Sequence, residues 1–125
     1  MGHLLKCLFG IHFIDTPDAP KNLEITEVTN SDITIEWQAP RNDGGAPVLS
    51  YVVERRQGFS SRFLRIDRGT VLDTYYRDTH VYEDCDYEYR VSAENEAGVG
   101  AASKPVGPVT VKDPYGELTN GLKFD

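Results

Sequence analysis

The sequence predicts an all-β protein, a seven-stranded antiparallel β-sandwich, on three observations. Short runs alternating apolar with polar residues recur along the chain, separated by joints dense in Gly, Pro, Asn and Asp. Between Thr16 and Pro114 no stretch carries a convincing helical period. The clearest alternation runs from Asp86, with Tyr87, Tyr89, Val91 and Ala93 on one face and Glu88, Arg90, Ser92 and Glu94 on the other. A period of two in aromatic and β-branched residues marks a strand buried on one side, here the central one. Asn95 to Gly100 then supplies a tight turn, with two glycines free to take positive φ.

Taken in order, the chain divides into a flank at 1–15, a domain at 16–114 and a linker or tail at 115–125. The flank is apolar but interrupted by Lys6 and His12, and lacks the unbroken run and small-residue cleavage site of a signal peptide. It is also too short to span a membrane. Leu4, Leu8 and Ile11 have helical spacing, so a short amphipathic docking segment and an unstructured flank both stay open. Pro17 and Pro20 then impose an extended entry.

Leu23 to Val28 forms the first strand, and Asn30-Ser31-Asp32 turns it into the second, where Ile33, Ile35 and Trp37 face inward. Pro40 stops that strand, and Asn42-Asp43-Gly44-Gly45 with Pro47 is a cluster of turn formers. Leu49, Tyr51 and Val53 alternate along the third strand. Phe63, Leu64 and Ile66 mark a short edge strand, Thr74 to Asp78 another, and Val81 packs inward before the corner at Tyr82 to Cys85. Ser103 to Val111 closes the set, with Val109 and Val111 inward and its prolines along an edge. The predicted core gathers Trp37, Tyr51, Tyr87, Tyr89, Val91, Leu23 and Ile35. Tyr87 is placed to hydrogen-bond back across its corner.

The chain has 125 residues, enough for one domain with its own core, and a formal charge of −7. That charge opposes a nucleic-acid partner, which calls for a basic surface, and opposes docking on anionic lipid. Cys7 and Cys85 are the two cysteines, too differently placed to bridge within the domain; unpaired thiols fit a reducing compartment.

No residue pattern points to catalysis. His80, Asp84 and Cys85 are close in sequence, but a strand corner does not build a nucleophile–base pair. Carboxylates on both sides of Cys85 disfavour a redox-sensing thiol. Glu83, Asp84 and Asp86 lack the ligand spacing of a calcium loop, so a solvated acidic face outweighs a metal site. No catalytic, cofactor or metal residue is assigned, and no small-molecule substrate. Arg-Gly-Asp and Asn-x-Ser/Thr triplets are absent.

An immunoglobulin domain would carry a cysteine two residues after its corner tyrosine, where this chain has Tyr89, and would place Trp37 on the third strand. The ordered set Pro17/Pro20, Trp37, Pro40, Asp43-Gly44-Gly45-x-Pro47, Tyr51-Val52-Val53-Glu54, Tyr87-Glu88-Tyr89-Arg90-Val91 and Asn95-Glu96-Ala97-Gly98 instead resembles a fibronectin type III domain. The Tyr51–Arg56 strand, the Ser92–Gly98 loop and the exit Lys112-Asp113-Pro114-Tyr115 are similar to the domains of giant muscle proteins, the titin, twitchin and projectin group. That resemblance implies a cytoplasmic, sarcomeric module in a tandem array. Its partners would be neighbouring immunoglobulin- or fibronectin-type domains and thick-filament proteins such as myosin. The same fold would also serve a receptor or adhesion ectodomain that binds ligand through its loops.

Charge along the chain is uneven. Arg55, Arg56, Arg62, Arg65 and Arg68 cluster against a lone Asp67, while Asp73 to Glu96 is acidic. The cluster has two readings: a docking edge for an acidic partner, or an edge strand charged against edge-to-edge pairing. Common usage of arginine at exposed edges tips the balance to the second.

Overall fold

The structure, a computed structural model, describes residues 13–113. The apolar run from Leu4 to Ile11, Cys7, His3, His12 and the tail from Pro114 onward lie outside the described residues. Among those described there are eight strands and no helix. They are β1 (Lys21–Val28), β2 (Ile33–Gln38), β3 (Ser50–Gln57), β4 (Leu64–Arg65), β5 (Tyr75–Asp78), β6 (Asp86–Asn95), β7 (Gly98–Val99) and β8 (Val106–Thr110). One sheet has the order β1-β2-β5. The other has the order β4-β3-β6, with β7 and β8 both on the far side of β6.

β6 is central because both its edges are paired. It meets β3 along eight residues, from Gln57 opposite Tyr87 to Ser50 opposite Glu94. Its alternation sends Tyr87, Tyr89, Val91 and Ala93 into the space between the sheets, each no more than 1% exposed. β3 adds Tyr51 and Val53 from the same sheet, and β2 adds Ile33, Ile35 and Trp37 from the facing one. The Trp37 and Tyr51 rings meet edge-to-face across the gap, with centroids 5.3 Å apart, the arrangement that ring quadrupoles favour. Leu23 and Ile25 on the edge strand β1 are only half-buried and pack against the rim of this cluster. Val81 and Val111, outside the strands, are buried with it.

The eighth strand is where the sequence expectation and the structure part. A single last strand was expected over Ser103 to Val111, but pairing to β6 comes in two pieces. β7 folds back directly after the turn at Glu96-Ala97, with Val99 opposite Glu94, and β8 pairs near the other end of β6, with Thr110 opposite Asp86. Pro105 and Pro108 carry no N–H and cannot sustain an unbroken ladder. Ser103 fills the interval: its N–H donates to Val91 O at 2.8 Å, and its hydroxyl accepts from Val91 N at 3.0 Å. The buried backbone of β6 is thereby satisfied without a strand opposite it.

A comparable substitution protects β3. β4 is only two residues long, and beyond it Ile66 N donates to Val53 O at 2.9 Å. The Asp67 carboxylate then takes the place of a backbone carbonyl, accepting from Val53 N at 2.9 Å, and Tyr51 N donates to Val71 O at 2.9 Å.

Candidate functional site

Three regions concentrate the polar side chains that a domain of this kind can use: the pole where the chain enters, the pole where it leaves, and the side lined by arginines. β6 spans the poles, its ten residues covering roughly 30 Å at the usual strand rise.

At the entry pole, the turn after β2 and the hairpin β6–β7 grip residues 15–18. Asp15 N donates to Gly44 O at 2.8 Å and Asp18 N to Asn42 O at 2.9 Å. Asn95, only 2% exposed, donates through its amide nitrogen to Asp15 O at 2.7 Å and to Asp43 O at 2.8 Å. One side chain thus joins the lead-in, the first turn and the hairpin. Its amide oxygen accepts from Ala97 N at 2.8 Å and shapes the hairpin turn. Asn42 and Asp43 brace the other turn, accepting from Gly44 N and Gly45 N at 2.9 and 2.8 Å.

Two glycines make the grip possible. A Cβ on Gly44, whose φ is +80°, would stand 2.1 Å from Asp15 O, and one on Gly100 would stand 1.9 Å from Pro17 O. Both turns were legible as turns; that Asn95 and these glycines hold the lead-in was not.

The exit pole is fastened differently. After β8, Val111 N donates to Cys85 O at 3.0 Å and Asp84 N donates to Val111 O at 2.9 Å. The Tyr87 hydroxyl accepts from Tyr82 N at 3.0 Å, which locks the corner before β6. Burial raises the pKa of Tyr87, and the Tyr82 N–H partly offsets this. Asp84 stands at φ +68°, in the left-handed region, without being glycine.

Between the sheets at this end, Asp78 of β5 ties three elements together. Its carboxylate accepts from Tyr89 Oη at 2.6 Å, from Arg55 Nη1 at 2.7 Å and from His80 N at 3.1 Å. Burial and the Asp78 bond drive the Tyr89 phenol far above its ordinary pKa. Burial is the largest single influence on Arg55 and opposes its charge, but the hydrogen bond to Asp78, the Asp78 charge and the nearby Tyr89 and Tyr87 together outweigh it, so its pKa is raised. The strand alternation that places Tyr76 inward also placed Asp78 there; a carboxylate at an inward position was the available signal.

The structure divides the five candidate arginines. Arg55 and Arg56 belong to the interior strand β3. Arg55 faces inward to Asp78 and stacks over the Tyr87 ring at 5.0 Å. Arg56 faces outward and pairs with Glu88. Beside it Arg90 pairs with Glu54 at 2.7 Å, and both guanidiniums lie over the ring of Phe63, at 4.8 and 4.4 Å from its centroid. Arg65 holds the fully buried Asp67 carboxylate through Nε and Nη2. Arg62 and Arg68 are exposed, and neither lies within ion-pair distance of a carboxylate among the described residues. The basic cluster of the sequence is therefore mostly neutralised where it stands, and its free charge reduces to two side chains.

No group of three His, Cys, Asp or Glu side chains among the described residues is arranged to hold a metal ion. Cys85 is a free, half-buried thiol.

Residues 18–109 match the sequence family described as Fibronectin type III domain. Titin of Drosophila melanogaster is 35% identical over 88 residues, covering 70% of this chain and, to the nearest per cent, 0% of its own length. The fast-type myosin-binding protein C of Gallus gallus is 33% identical over 115 residues, covering 92% of this chain and 10% of its own. Among solved structures, domains A168–A170 of titin superpose with a TM-score of 0.76 at 29% identity, covering 82% of this chain and 35% of that one. The chain thus spans a tenth or less of these curated relatives.

Proposed function

The chain belongs to the fibronectin type III domain family, and from that premise we propose that it is a non-catalytic structural link in a tandem array, within a cytoplasmic, sarcomeric protein of the titin and myosin-binding protein C kind. The observation that carries this reading is the placement of entry and exit. The lead-in is bonded to the hairpin end of β6 through Asn95 and Gly44. The exit is bonded at the opposite end through Val111 and the corner at Cys85.

Tension applied through the two ends therefore runs along β6 and across the ladder that it shares with β8. An array of such links sets spacing by geometry alone. The polar clusters support the same reading: Asp78, Asp67 and Asn95 have each spent their bonding capacity on tying segments together. The domain is the stretch 16–114, with neighbouring domains of the array as its first partners.

The test is an immunoblot of fractionated striated muscle and of non-muscle tissue, with an antibody raised against residues 17–114. A very large band in the myofibrillar fraction supports the proposal. A band confined to membrane or secreted fractions overturns it.

A further inference from the structure

The least explained surface of the domain lies along its open edge. The hairpin loop after β3 carries Phe59, which is 107% exposed relative to a free side chain, and β4 carries Leu64, 58% exposed. Two apolar side chains this bare run against the way sheet edges are normally guarded, with charge and short strands. The two-residue length of β4 and the arginines fit that guarding role; Phe59 and Leu64 do the opposite.

The loop is also not loose. Gly58 N donates to Asp86 O at 2.9 Å and Ser60 N to Gln57 O at 3.0 Å, and Arg62 N donates to the Ser60 hydroxyl at 3.2 Å. Phe59 is thus held out by a fastened turn. Below it a groove of about 600 Å³ is lined by Phe59, Arg62, Leu64, Ile66 and Arg55. A second depression of about 280 Å³ continues it past Arg65 to Arg68 and His80.

Charge along this groove is lopsided in a definite way. Arg55 and Arg65 are matched by Asp78 and Asp67, which leaves Arg62 at one end and Arg68 at the other as net positive charge. The backbone is available as well. Ile66 N bonds inward to Val53 O, and alternation of an antiparallel ladder then turns the N–H and C=O of Arg65 away from β3, toward the open edge.

We propose that the β4 edge is a docking site for an extended acidic segment of a protein partner, one apolar side chain of which seats between Phe59 and Leu64 while carboxylates on either side meet Arg62 and Arg68. Added-strand recognition of this sort takes affinity from the main chain and specificity from alternate side chains. The rest of the surface fits the same partner: on a chain of net charge −7, this edge is a local exception that an acidic segment can find. The site is independent of the array reading, since it uses neither pole.

The test is a titration of the isotope-labelled 125-residue chain with a blocked heptapeptide that carries an apolar isoleucine at its centre, glutamate two residues to either side and threonine elsewhere, so that the isoleucine and both carboxylates share one face, followed by amide chemical shifts. Shifts concentrated on Phe59 to Arg68 are expected. Phe59→Ser and the double change Arg62→Glu/Arg68→Glu should each weaken binding tenfold or more. Their thermal midpoints should stay at the parent value, because none of the three side chains is buried. Two control peptides, one with serine replacing the isoleucine and one with lysine replacing glutamate, should bind at least tenfold more weakly. Shifts centred elsewhere, no shifts at millimolar peptide, equal binding of the serine peptide, or full binding by both variants would each overturn the proposal.

Discussion

Replacing Gly100 by alanine tests whether the lead-in before β1 is truly part of the fold. Gly100 does not have a positive φ, so alanine is permitted by its backbone and the whole effect comes from the new methyl. That carbon would lie 1.9 Å from Pro17 O, 2.9 Å from Pro17 C and 3.2 Å from Pro17 N, and all three are backbone atoms with no rotamer to swing aside. Gly100 itself is held by its N–H to Ala93 O at 2.8 Å, so the lead-in must retreat by more than 1 Å. Retreat breaks the bonds of Asp15 N, Asp18 N and the Asn95 amide to Asp15 O, and uncovers the buried Pro17.

At a net value of about 1 kcal/mol per hydrogen bond, three bonds set a loss of about 3 kcal/mol. Urea denaturation followed by Trp37 fluorescence should show that loss, and hydrogen exchange should show the Asp15 and Asp18 amides deprotected while β6 stays protected. Gly69→Ala is the matched control. Its φ is +86° with nothing within 4 Å of the new carbon, so it should cost about 1 kcal/mol through backbone strain alone and leave Asp15 protected. A Gly100→Ala protein with parental stability and slow exchange at Asp15 and Asp18 would refute the clamp.

Three further outcomes follow from single contacts. Tyr87→Phe removes the acceptor for Tyr82 N and should cost about 1–3 kcal/mol by urea denaturation; an unchanged midpoint would remove the corner assignment. Asp84→Gly relieves a left-handed φ of +68° at an exposed residue and should raise stability by about 1 kcal/mol, read as a higher thermal midpoint. The bond from Arg77, then that from Thr29, holds the Asp32 carboxyl below its ordinary pKa. The stabilisation is therefore present above the unfolded carboxylate range near about 3.9 and is lost as pH falls through the depressed folded value. Arg77→Gln should accordingly destabilise at pH 7 and shift acid unfolding to higher pH, less so in high salt because Arg77 is exposed. Equal effects at pH 7 and pH 2 would show that the pair has no electrostatic part.

What the sequence could disclose divides along a physical line. Alternation over Tyr87 to Glu94 needs only one buried face to be visible, so the central strand and its partners could be placed from spacing alone. Turn chemistry at Asn42–Gly45 and Asn95–Gly98 is equally local. The break between β7 and β8 was half visible, in Pro105 and Pro108; that the Ser103 hydroxyl would fill the interval depends on Val91, twelve residues away.

The arginines show the limit most clearly. As a string they read as one patch, but strand direction separates them: Arg55 turns to Asp78 inside the sandwich, while Arg56, its neighbour, turns outward to Glu88. Partners 23 and 32 residues away decide which charges are spent, and no local pattern contains that information. The same sorting made Phe59 conspicuous. Arg56, which lines a depression with Phe59, lies over Phe63 instead, and among the described residues no guanidinium covers the Phe59 ring. A side chain with no part in the fold's own bonding, held out on a fastened turn beside two unspent charges, is a surface whose chemistry is completed by another molecule.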